Sequence, residues 1–421
     1  MSSDGMTASA VPCAAGGELV RRRRLYALLG LLLVAPLVIW IYRPDAHGLD
    51  VTGHQIGRDF ISVWAGPQLA FGGKLAILFD LEAYPDALSR LFGEPLPFHN
   101  WGYPMFTLLA FWPLAQLPYF AALSVWTFGL FALFAAVTLR EVAPDKRAPA
   151  LLALACAPAC LINGLGGQNG FLSGALLIGG VLAIDRRPLL AGVLFGLLTF
   201  KPHLGVVLAF ALIALGAWRV IVTAIATTAV LVAVSIAVFG IEPWRQYFEV
   251  TGAFQVELLQ RFHGFYKYMM ASVTAAGRTF ELSYPVSLAI QAAVSLPVLA
   301  AACWAVRRTT DPCRRVFVLA AATPLVTPYA FNYDLTWLAA VQVWMLSGRL
   351  PWRPEWSVLS LLGWALPLAL MYAAMLGFGI APLVLIFLFC AALREAAGDA
   401  APAPADMLDS PTPGLPRAVE A

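Results

Sequence analysis

Charge is what this chain most conspicuously lacks. Asp, Glu, Lys and Arg make up 12% of its 421 residues, while apolar types make up 60%, against about a quarter charged in soluble domains. With a mean hydropathy of +0.77, that shortage excludes a soluble globular domain and leaves a polytopic membrane protein. The net charge is only +3 and no basic tract is interleaved with aromatics, so nucleic acid is not an expected partner. The six cysteines form no disulfide framework: Cys156, Cys160, Cys303 and Cys390 fall in or beside apolar runs, Cys13 in the N-terminal tail and Cys313 in a basic loop. The thiols of "CAPAC" share one helix face, where small residues packing between helices explain them more simply than a metal does. The five histidines lack zinc spacing, and neither a metal nor a cofactor is expected. "RRRRLYALLGLLLVAPLVIWIY" starts like a signal peptide, but its apolar run is too long and no small-residue cleavage site follows, so it reads as an uncleaved first span. No internal repeat of the transporter kind is visible.

Long apolar runs are abundant. A span needs about 20 apolar residues, fewer within a bundle, and twelve segments qualify: 25–42, 119–139, 149–164, 170–184, 188–200, 203–217, 219–240, 286–306, 316–329, 335–347, 357–373 and 377–394. The segment Tyr103 to Pro118 is apolar enough to cross but carries Pro104, Pro113 and Pro118, and charge decides its status. Cytoplasmic loops are rich in Lys and Arg. If 103–118 stays along the outer interface, the inside receives Arg21 to Arg24, Arg140, Lys146, Arg147, Arg186, Arg187, Arg219, Arg307, Arg308, Arg314, Arg315, Arg349, Arg353, Arg394 and Arg417, which is 18 of 27 basic residues. Letting it cross would put "REVAPDKR", "DRR" and "RRTTDPCRR" outside. The same count splits 188–217 into two helices at Lys201-Pro202. The expectation is an all-α polytopic protein of the inner (plasma) membrane with both termini cytoplasmic. It has a basic tail over 1–24, a transmembrane domain over 25–394 with outer loops 43–118 and 241–285, and a disordered Pro/Ala-rich tail over 395–421.

That topology gathers the unusual polar clusters on one outer, periplasmic face. In "GRDFISVWAGPQLAFGG", Asp59 follows Arg58 at the head of a segment spaced like a short amphipathic interfacial helix; it serves as a helix cap, an ion-pair partner of Arg58, or an acid–base group. Asp50 and Glu82 are acids of the same loop, and spacing alone does not separate the three. In "KPH", Lys201 and His203 flank a helix break at a depth where a cation is costly unless it meets a cavity or an anion. In "RFHGFYKYMMASVTAAGR", His263 and Lys267 set positive charge among aromatics, suited either to a lipid phosphate or to headgroup snorkelling. "NGLGGQNG" offers Gln168 and Asn169 for hydrogen bonds to a hydroxylated ligand or as helix caps. "TPYAFNYD" places Asn332 and Asp334 at a helix start, where they contact substrate or cap the helix.

Together these stretches, with "WGYPMFTLLAFWPLAQLP", "GLLTFKPHLG" and "TPYAFNYDLTWL", resemble the polytopic GT-C glycosyltransferases, and more closely glycosyltransferase family 87, the polyprenol-phosphate-mannose-dependent α-1,2-mannosyltransferase-like proteins. The resemblance implies a GT-C-like bundle of about 12 transmembrane helices with a long outer first loop carrying interfacial helices. It implies a hexose, mannose by default, moved with inversion from a polyprenyl-phosphate donor to a hydroxyl of a glycan or glycolipid acceptor at the bilayer. It places the general base on Asp59; in the mechanism it implies, cations such as Lys201, His203, His263 or Lys267 hold the donor phosphate, and Arg58, Tyr103, Gln168, Asn169, Asn332 and Asp334 are the candidate substrate contacts. One departure is "YPM" at Tyr103, Pro104 and Met105 where the family has "YPP". A leaving polyprenyl phosphate already carries negative charge, so cationic side chains alone can assist its departure. A ligase or polymerase of lipid-linked glycans and a flippase of lipid-linked sugars are the competing readings.

Overall fold

The structure, a computed structural model, describes residues 48–351 and 357–398 and scattered positions between 21 and 45. The expected basic tail over 1–24 and first span over 25–42 lie largely outside the described residues, as does the tail from 399 onward. Every regular element among the described residues is helical. Among the described residues, five helices are long and apolar enough to cross a bilayer: Tyr119–Leu139, Trp218–Phe239, Tyr284–Arg308, Val358–Met375 and Ala381–Gly398. The bent pair Pro144–Ala155 and Pro158–Leu165 makes a sixth if counted as one span. Gly170–Ala183, Pro188–Phe200 and Pro202–Ala214 are shorter apolar helices, so length and hydropathy alone support about half of the twelve expected spans.

Burial explains the short ones. Thr336–Ser347 is buried at every position and Pro312–Val326 at all but two; twelve residues at 1.5 Å each reach about 18 Å, short of a hydrocarbon core of about 30 Å. Long helices stand outside them. Trp218–Phe239 buries only Val220 and Ser235 and leaves Val222, Ile225 and Val230 more than 60% exposed, as a lipid-facing helix does.

Prolines set the breaks. Lys201 is extended (φ −128°, ψ 74°) ahead of Pro202, because the residue before proline is pushed out of the helical region, and the helix divides there as its sequence predicts. Two boundaries differ from expectation for the same reason. The span expected over 149–164 bends by 59° ahead of Pro158, where Ala157 is extended. The helix expected to reach 329 stops at Val326, because Thr327 precedes Pro328 in extended conformation. The last helix runs on to Gly398 with Glu395 and Ala396 buried, four residues into the expected tail.

The stretch before Tyr119 folds into Phe60–Leu69, Ala83–Phe92 and Phe106–Ala115. Phe60–Leu69 is not the amphipathic surface helix its spacing suggests: Phe60, Ile61, Ser62, Val63, Ala65, Gly66, Pro67 and Leu69 are all buried. It is lashed to the neighbouring segment by the Trp64 indole donating to the Leu117 carbonyl (2.9 Å) and the Gln68 amide donating to Ala115 (3.1 Å).

Contacts between helix ends sort the connecting segments into two groups. At one end Arg349 joins Glu141 and Asp311, Arg315 joins Asp185, Arg314 lies 4.0 Å from Glu395, and Lys146 donates to the Ser347 carbonyl. At the other, Gln168 meets Asp59, Asn169 meets Tyr103, Lys201 meets Asp334, Thr251 meets the Trp101 carbonyl, and the Ala271 N–H donates to Ala330. The segment 103–118 starts and finishes at this second end: Tyr103 bonds Asn169, and the Tyr119 hydroxyl donates to the Ile56 carbonyl (2.8 Å). Both of its ends thus meet the same group of segments.

Candidate active site

Asp59 stands at the head of the helix Phe60–Leu69 but makes no side-chain cap hydrogen bond. Its carboxylate is exposed, and its Oδ2 accepts from the Gln168 amide. The neighbouring acid Asp50 has a different environment. Its side chain is enclosed, with Oδ2 bound by Arg58 (2.8 and 3.0 Å) and Oδ1 by the Thr52 hydroxyl and the N–H groups of Thr52 and His54. Burial pushes the Asp50 carboxyl up, but the Thr52 hydroxyl, the Arg58 charge and those N–H groups outweigh it and hold it below the usual carboxylate range. Glu82 is exposed at the start of Ala83–Phe92. Of the three acids that spacing could not separate, Asp59 is the one in hydrogen-bond contact with "GLGGQNG".

The backbone around Asp59 is tightly specified. Arg58 has φ +39°, a conformation costly for a side-chain-bearing residue, and its pairing with Asp50 holds it there. Gly167 has φ +58°, and a Cβ on it would strike the Gly57 carbonyl and Phe60; only glycine lets this turn lie directly on the 57–60 turn. Its carbonyl accepts from the Trp126 indole (3.0 Å). The Asn163 side chain accepts from the Gly170 N–H (2.7 Å), closing the turn that aims Gln168 at Asp59.

The same turn reaches two further segments. Asn169 is 2% exposed, and its amide donates to the Tyr103 hydroxyl (3.0 Å), leaving the phenol proton for another acceptor. Burial, with the charges of Asp59 and Asp334, lifts the Tyr103 pKa, so the hydroxyl stays protonated. A Cβ on Gly170 would strike the Tyr333 carbonyl, and Thr336 donates to the Gly170 carbonyl (2.8 Å), which presses "TPYAFNYD" onto "GLGGQNG".

Lys201 is 9% exposed. Its ammonium lies 2.6 Å from Asp334 Oδ1 and 4.8 Å from the Tyr333 ring centre. The other Asp334 oxygen accepts from the Phe331 N–H (3.2 Å), so this acid holds the cation and its own turn. The His203 ring sits edge-on to Tyr329 at 5.5 Å, and its buried Nε2 has no hydrogen-bond partner among the described residues. Asn332 is fully buried and gives its amide to the Pro367 carbonyl (3.0 Å). His263 is exposed on the segment that follows Arg261, and Lys267 lies over Tyr268 at 4.8 Å. That segment reaches "TPYAFNYD" through a bridge between Met270 and Phe331.

Several side chains that shape the site were not singled out in the sequence. Trp126 and Tyr329 are two of them, the first bonded to the Gly167 carbonyl and the second edge-on to His203. His54 and His99 stack edge to face at 5.9 Å beside the Asp50–Arg58 pair. Burial, then Arg58 and His99, lower the His54 pKa against the opposing pull of Asp50 and Asp59. Among the described residues, no three His, Cys, Asp or Glu side chains cluster as metal ligands.

Comparison with known families adds one finding. The model of glycosyltransferase family 87 matches residues 101–328, more than half of the chain. That stretch carries Tyr103, Gln168, Asn169, Lys201, His203, His263 and Lys267. Asp59 and Asp334 lie outside it but are bound to it through Gln168 and Lys201. No curated protein and no solved structure matches the chain.

Proposed function

Because the chain belongs to glycosyltransferase family 87 and is a membrane glycosyltransferase, we propose that it transfers a hexose, mannose by default, from a polyprenyl-phosphate donor to an acceptor hydroxyl on the periplasmic face of the inner membrane. The observation that carries this reading is the exposed Asp59, held by Gln168 of the turn that also meets Tyr103 and the "TPYAFNYD" segment. In this scheme Asp59 takes the acceptor proton as the acceptor oxygen attacks the anomeric carbon. The bond from that carbon to the phosphate oxygen breaks on the opposite face. Configuration inverts, and polyprenyl phosphate departs with its negative charge.

His203, Lys201, His263 and Lys267 would receive that phosphate. His203 supplies a buried nitrogen without a partner, whereas Lys201 must share its charge with Asp334. Gln168 orients the base. Tyr103 and Asn169 offer a phenol proton and a free amide oxygen to sugar hydroxyls. Arg58 and Asp334 support the site through their pairs, and Asn332 through the Pro367 carbonyl. The twelve-span topology follows if the short buried helices complete crossings within the bundle and both termini are cytoplasmic.

The test is transfer from radiolabelled polyprenyl-phosphate mannose by membranes containing the protein, with the product linkage assigned by NMR. Inverted configuration supports the reading; retained configuration excludes Asp59 as a base in a single displacement. Orientation is tested by single cysteines at the exposed positions Glu82 and Thr310 in a variant free of other cysteines. An impermeant thiol reagent should reach the first from outside, and labelling of the second overturns the assignment of faces.

A further inference from the structure

A cavity lies at the opposite end of the bundle from Asp59. It is an open cleft of about 480 Å³ where Pro188 opens one helix, Leu215 and Gly216 close the next, and Trp218 and Arg219 open a third. Its walls carry both charges. Arg315, its side chain 7% exposed, donates to the carbonyls of Val306 and Thr309 and to Asp185 Oδ2 (2.7 Å). This fixes Asp185 at the wall, with its side chain still 58% exposed. Arg219 is exposed and has no side-chain partner among the described residues.

The flanks are apolar. Trp218 in the lining is 63% exposed and Leu189, next to Pro188 in sequence, 65% exposed, and Val222 and Ile225 continue the exposed stripe along Trp218–Phe239. An interfacial tryptophan beside charged groups, above an uncovered apolar helix, is the arrangement met by a lipid whose headgroup turns inward and whose chains run down the helix.

We propose that this cavity binds the headgroup of an aminophospholipid, with its phosphate against Arg219 and its ammonium against Asp185. A charge-assisted hydrogen bond suits each contact. The pairing of unlike charges favours a headgroup bearing both a phosphate and an N–H donor over one bearing phosphate alone. Pro188 and Leu215 also belong to the two helices that meet at Lys201-Pro202, so an occupied cavity braces the far ends of the helices that present Lys201.

The experiment is native mass spectrometry of the full-length protein in detergent, titrated with phosphatidylethanolamine, phosphatidylglycerol or phosphatidylcholine. Phosphatidylethanolamine should be retained as one adduct, about tenfold more tightly than the other two, the worth of one such contact near 1.4 kcal/mol. Arg219→Ala, an exposed change that leaves the core intact, should lower that retention about tenfold. Arg186→Ala, an exposed basic residue outside the cavity, should leave it unchanged. Equal retention by the wild type and Arg219→Ala overturns the site, and equal retention of phosphatidylglycerol overturns the ammonium contact. Displacement by millimolar inorganic phosphate makes the cavity a free-anion site and overturns the lipid assignment.

Discussion

The two ends of this bundle use charge in opposite ways. At the end that gathers 140–147, 185–187, 309–315 and 347–349, two arginines are matched to acids: Arg349 bridges Asp311 (2.8 Å) and Glu141 (3.3 Å), and Arg315 closes on Asp185 (2.7 Å). These pairs tie helix ends together. At the other end the acid nearest the convergence of segments, Asp59, is held by an amide and makes no salt bridge among the described residues. Nearby His203 and Asn169 keep buried polar atoms without partners. Even there a structural pair stands beside the proposed base, for Asp50 and Arg58 bind each other while Asp59, one residue away from Arg58, is left exposed. Acids neutralised by arginine hold the fold, and a carboxylate held only by a neutral donor remains free to accept a proton.

The comparison breaks first at Lys201, which belongs to the reactive end but is paired like the structural one. Lys201→Ala leaves Asp334 buried without its cation and should cost about 3–5 kcal/mol, seen as a fall in thermal midpoint or loss of monodisperse protein. Lys201→Met combined with Asp334→Asn should recover most of that loss; no recovery would show that Lys201 does more than balance Asp334. Next is Gly167→Ala, which forces a Cβ against the Gly57 carbonyl at φ +58°. Strain of about 1–3 kcal/mol should displace Gln168, so transfer per folded molecule should fall further than stability does. Unchanged transfer would detach this turn from the chemistry.

Gln168→Glu replaces the donor to Asp59 with a second carboxylate. An adjacent like charge raises a carboxyl pKa, so the acid limb of the pH–rate profile should move about one unit toward higher pH, and transfer at a fixed pH on that limb should drop roughly tenfold. An unmoved limb assigns the proton transfer elsewhere. Smallest is Arg349→Ala at the structural end. The arginine is 26% exposed, and removing it should cost about 1 kcal/mol by denaturation, with transfer per folded molecule untouched.

How much of this was legible in the sequence follows the range of each interaction. The break at Lys201-Pro202 and the sorting of connecting segments into two groups rest on proline chemistry or charge counting, which are local. The family was legible because its motifs are short stretches in a fixed order. The pairing of Lys201 with Asp334 spans 133 residues, and no periodicity carries it, although the cost of an intramembrane cation demanded some anion. Likewise the apolar spacing of Phe60–Leu69 fits a surface helix, and only its neighbours decide that nearly every face is covered. The bend ahead of Pro158 was readable from that proline but hidden by the apolar run around it.

The most direct test is transfer per folded molecule from radiolabelled polyprenyl-phosphate mannose, measured side by side for wild type, Asp59→Asn and Arg349→Ala. The account predicts that Asp59→Asn elutes as folded protein and loses about 10²- to 10⁴-fold in rate, the usual contribution of a general base, while Arg349→Ala is less stable but as active as wild type. Full activity in Asp59→Asn, or selective loss in Arg349→Ala, would contradict the division of the molecule into a reactive end and a structural one.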